Sequence, residues 1–80
     1  MNLYLIRQKV NNQYDTYDSA VVRANTAEEA VMIHPGGKRG WDGKGGDFSS
    51  WADSNEVTAE LIGVSFELPP GVICASFNAG

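Results

Sequence analysis

A single cysteine, Cys74, stands among the 80 residues, so neither an internal disulfide nor a cysteine-rich zinc site is available. That scarcity fits a reducing compartment and sets the expected location as cytoplasmic. One histidine, His34, without cysteine neighbours is a poor start for a metal centre, and no metal or cofactor is expected. No apolar run approaches the roughly 18–20 residues of a membrane span, and the first residues lack the charged and apolar regions of a signal peptide, so no membrane partner is expected. Positive charge is also short. Six Lys and Arg face ten Asp and Glu, giving a net charge of -4 and a pI near 4.6, which argues against duplex nucleic acid, whose binding needs many cations. Repeats and linkers are missing too. What is present is 42% apolar and 20% charged, the mix of an ordinary globule. A chain this short buries only about 60–65% of its unfolded surface, so one small domain, residues 1–80, with a thin core is expected.

Residues 3–10 (LYLIRQKV) are rich in β-formers and read as a strand with Tyr4, Ile6 and Val10 on one face and Leu3, Leu5 and Arg7 on the other. Asn11-Asn12-Gln13 suits a turn. A second strand over residues 17–24 places Ala20, Val22 and Ala24 together. Thr26-Ala27-Glu28-Glu29 is a helix start, with the Thr26 hydroxyl and the Glu29 carboxylate placed for a capping box. Ala27, Ala30, Val31 and His34 make an apolar stripe, and Pro35-Gly36-Gly37 stops it after about two and a half turns. Residues 57–62 and 72–77 read as two more strands, with Pro69-Pro70-Gly71 as the turn between them. The expected fold is α+β, a four-stranded antiparallel sheet in the order β-β-α-loop-β-β, formed by two hairpins with one short helix packed on one face. Its other face, drawing on Leu3, Leu5, Val21, Val57 and Leu61, would favour a homo-oligomer.

Six of the nine glycines fall within residues 36–46, interleaved with Lys38, Arg39, Trp41, Asp42 and Lys44. A loop this long in so small a domain is usually functional or mobile. It is not a P-loop: counting back from Gly43-Lys44 puts Lys38 where the first glycine belongs, and Gly45 where Ser or Thr would hold Mg²⁺. It is not a dinucleotide fingerprint either, since Gly43-Lys44-Gly45-Gly46-Asp47-Phe48 ends in Phe. A local excess of cations inside an acidic chain remains, with Trp41 in it and Phe48 and Trp51 after it. Aromatic faces, cations and backbone amides can stack a base and hold its phosphate. The candidate ligand-binding residues are therefore His34, Lys38, Arg39, Trp41, Lys44 and Trp51. Against this stands the reading in which both indoles close over the core.

No catalytic constellation is visible, and no enzyme is expected. Cys74 reads as a small core filler rather than a nucleophile. Asp53, Asn55 and Glu56 lack the glycine and the final glutamate of a calcium loop. Arg23, if opposite the helix, is read as pairing with Glu60, with pointing into a site as the alternative.

Residues 17–22 (YDSAVV), Ala30 with Ile33-His34-Pro35, and residues 71–80 (GVICASFNAG) resemble a group of small proteins encoded by phages and prophages. The resemblance covers most of the chain in outline, but its motifs mark a fold rather than a site. It implies an anti-defence factor acting in the host cytoplasm. Two functions follow as expectations. One is a non-catalytic binding protein that sequesters a small phosphorylated, nucleotide-like immune signal. The other is a protein inhibitor of a host defence complex, of anti-CRISPR type, whose acids Asp15, Asp18, Asp53, Glu56 and Glu60 mimic nucleic acid.

Overall fold

A computed structural model describes residues 1–10, 15–37, 40–45, 50–66 and 70–78. Four strands, β1 (Asn2–Arg7), β2 (Thr16–Ala24), β3 (Thr58–Val64) and β4 (Gly71–Asn78), form one open antiparallel sheet, with a single-turn helix α1 (Ala27–Ala30) after β2. The strand order is β3-β1-β2-β4. Among the described residues only β1 and β2 make a hairpin. The expected second hairpin does not form, because β3 pairs with β1 and β4 with β2, leaving the last two strands at opposite edges. The turn expected at residues 11–13 lies outside the described residues. Asp15 closes that connection at φ +62, a left-handed conformation that Asp tolerates better than most side chains.

Alternation along β1 and β2 decides which face is covered. Tyr4 and Ile6 sit opposite Val22 and Ala20 in the ladder, and all four are buried. Ala24, Ala30, Trp41, Trp51, Ala52 and Val57 complete the core. Val57 thus lies in the core rather than on the second face, because it precedes β3 at the end of a 3₁₀ turn (Ser54–Glu56). Cys74 is exposed, correcting its assignment as core filler: it lies on an edge strand opposite Val21, on the face no other layer covers. The ion pair to Glu60 comes from Arg7, at 4.0 Å, and not from Arg23. Both partners are well exposed, so the pair contributes little.

The Thr26 cap forms as expected, its hydroxyl accepting from the Glu29 amide at 3.1 Å. Glu29 reaches back one residue further than a capping box requires, accepting from the Asn25 amide at 3.4 Å. The helix is much shorter than the apolar stripe implies. The amides of Met32 and Ile33 donate to Glu29 and Ala30, three residues back, which tightens the backbone out of the α-helix. Pro35 bars His34 from helical geometry, and β-branched Val31 and Ile33 are weak helix formers.

Candidate functional site

The loop after α1 is pinned rather than loose over its described part. Trp41 Nε1 donates to the Lys44 carbonyl at 3.1 Å, and the Lys44 amide donates to Asp42 Oδ1 at 3.0 Å. Ser54 N donates to the Gly43 carbonyl at 2.8 Å, the Gly45 amide donates to Asp53 Oδ1, and Tyr17 N donates to the Ser50 carbonyl at 2.8 Å. These bonds tie residues 41–45 to residues 53–54 and hold Ser50 on β2. The indoles follow: Trp51 is fully buried and Trp41 is 8% exposed. Removing the Trp51 ring from water contributes on the order of 4 kcal/mol, which explains why a glycine-rich segment packs at all.

His34 is the hinge of the site. Its Nδ1 accepts from the Gly36 amide at 3.0 Å, so the neutral ring carries its proton on Nε2, which faces Ser50 Oγ at 3.5 Å. This arrangement does not make it a charged cap on α1, which ends four residues earlier. The ring meets Trp41 edge-on at 5.4 Å between centroids and Tyr17 at 6.2 Å; Tyr17 in turn leans on Phe77 of β4 at 4.7 Å. Four rings thus run from the loop to the sheet edge.

Beside this row lies a cleft of about 270 Å³. It is lined by Met32, Ile33, His34 and Trp41, by Pro70, Gly71 and Val72 at the start of β4, and by Gly37 and Gly40 on either side of residues 38–39 in sequence. The volume is just below the roughly 300 Å³ at which typical small-molecule sites begin. Of the residues predicted from sequence, His34 and Trp41 are brought together here. Trp51 belongs to the core and does not line the cleft. Lys44 is exposed and outside the lining. Lys38 and Arg39 lie outside the described residues; in sequence they join the two lining glycines. Met32, Ile33 and Val72 were missed because apolar residues at a helix end or strand start carry no signal that separates a cleft from a core. Pro70-Gly71 was read only as a turn.

Of the acids proposed for mimicry, two are engaged by other groups. Asp15, Asp18 and Glu56 share their end of the sheet with Arg7, Glu60 is engaged by Arg7, and Asp53 is committed to the Gly45 amide. Among the described residues no three His, Cys, Asp or Glu side chains gather as metal ligands, and no helix is long and apolar enough to cross a membrane. No family model, curated protein or solved structure matches the chain.

Proposed function

We propose that the protein is a non-catalytic binding module that captures a small phosphorylated, nucleotide-like ligand in the cleft between His34, Trp41 and the start of β4. The observation that carries this reading is the pairing of two aromatic rings with an apolar slot: His34 and Trp41, edge-on to each other, line the same cleft as Ile33 and Val72, against which a flat base can pack. Lys38 and Arg39, which lie in sequence between the lining glycines Gly37 and Gly40, are the cations this reading assigns to the phosphate. The further reading, a phage anti-defence factor that sequesters an immune signal in the host cytoplasm, rests on the resemblance of residues 17–22 and 71–80 to phage proteins.

Titration with mono-, di- and cyclic nucleotides, followed by tryptophan fluorescence, tests the site. The emission of Trp41 changes on binding, so Trp51→Phe retains the response and Trp41→Phe loses it. Lys38→Ala combined with Arg39→Ala abolishes binding while leaving the melting temperature within about 2 °C, and Lys44→Ala, outside the cleft lining, leaves binding in place. A melting temperature unmoved by every nucleotide in the panel overturns the proposal.

A further inference from the structure

The layer that covers the sheet reaches only the start of β3, where Ala59 packs against the core, and leaves the later part of the strand open. Leu61 lies opposite Tyr4 in the ladder and shares its face, yet Tyr4 is buried and Leu61 is 59% exposed. Val64, opposite Asn2 on that same face, is 67% exposed, Phe66 just beyond it 100%, and Ile62, the extra residue at the bulge, 48%. These four large apolar side chains fall within residues 61–66 along one edge of the sheet. At the 150–250 Å² of an aromatic side chain and somewhat less for the aliphatics, they present on the order of 450 Å² of apolar surface. That is more than half of the roughly 800 Å² each partner contributes to a standard interface, before the strand backbone is added.

We infer that β3 is a homodimer edge, on which the β3 strand of a second copy adds antiparallel to continue the sheet through eight strands. An antiparallel pair about a two-fold axis is self-complementary, so the same patch serves on both sides. The seven residues of β3 centre on Leu61. An axis there sets Leu61 beside Leu61 of the partner subunit and Ala59 opposite Gly63 of the partner subunit. Glu60, the one charged residue of the strand, then faces Ile62 of the partner subunit, so no like charges meet. Glu60 is already offset by Arg7 at 4.0 Å. Neither lysine nor proline, the residues that usually block an open edge, occurs in β3. The interface is the strand edge, not the open face carrying Leu3, Leu5 and Val21.

Sedimentation of the full chain from about 1 to 200 µM tests this, with two variants. The chain sediments as a dimer, and Leu61→Lys raises the dissociation constant at least tenfold while the far-ultraviolet spectrum is unchanged, because Leu61 is mostly exposed. Ile73→Lys, on the opposite edge, leaves the dimer intact. In a Cys74→Ser background, Leu61→Cys yields a covalent dimer under mild oxidation, since the two-fold axis brings the two positions within roughly 4.5–5.5 Å. A chain that stays monomeric throughout, a dimer lost with Ile73→Lys instead, or a Leu61→Cys protein that does not cross-link overturns the proposal.

Discussion

His34 touches four groups at once: the Gly36 amide, the Ser50 hydroxyl, and the rings of Tyr17 and Trp41. Its replacement therefore separates positioning from contact. His34→Asn can place its Oδ1 where Nδ1 accepts from Gly36 and loses only the ring edges, at about 0.5–1 kcal/mol; His34→Ala loses the acceptor as well and costs about 1–2 kcal/mol. Both variants lose nucleotide affinity, since neither keeps the ring in the cleft, and paired thermal melts and calorimetric titrations read the two effects separately. Gly43 makes the opposite case. It adopts φ +80, and an added Cβ would sit 2.8 Å from Ser54 Oγ and 3.0 Å from Met32 Sδ. Gly43→Ala destabilises by about 2–3 kcal/mol in urea denaturation, while Gly40→Ala, at φ +65 with open space around it, costs only about 1 kcal/mol. From sequence these glycines look equivalent, all of them candidates to wrap an anion. Their difference lies in neighbours contributed from residues 32 and 54, which no local spacing records.

At the scale of the element, α1 shows which signals are local and which are not. The cap at Thr26 needs only residues three apart, and it is where the sequence places it. The length of the helix is decided instead by three-residue hydrogen bonds and by Pro35, against a stripe that nominally continues to His34. One turn cannot stand alone, so the cap matters through docking: Ala30 is fully buried, with Ala27 and Val31 packed against the core. Thr26→Ala is expected to cost about 1 kcal/mol and Thr26→Ser little, measured by chemical denaturation. Strands β1 and β2 were legible because both are rich in β-formers and a turn-forming Asn pair lies between them, which makes a hairpin of neighbours. The partners of β3 and β4 were not, because each is apolar on both faces and adjacency in sequence favours a hairpin that the structure does not make. The same limit governs the cleft, whose lining comes from a loop and the start of an edge strand some 30 residues apart.

At the scale of the molecule, one short helix and a packed loop cover a sheet of four strands, and the cover leaves the later part of β3 open. A protein so built is stabilised by whatever completes it. If two copies join through β3, folding and association are one equilibrium, and mass action links stability to concentration. Each tenfold rise in protein concentration then adds about 1.4 kcal/mol per dimer at 25 °C. With an unfolding entropy of roughly 2.1 cal/mol/K per residue over two chains of 80 residues, that becomes an upward shift of about 4 °C in melting temperature for every tenfold in concentration. The Leu61→Lys protein, held as a monomer, melts at one temperature across the same range and lies below the parent at every concentration where the parent is dimeric. Scanning calorimetry at three concentrations distinguishes the cases directly: a parent melting temperature independent of concentration removes the dimer, and a shift shared equally by Leu61→Lys moves the interface to another surface of the sheet.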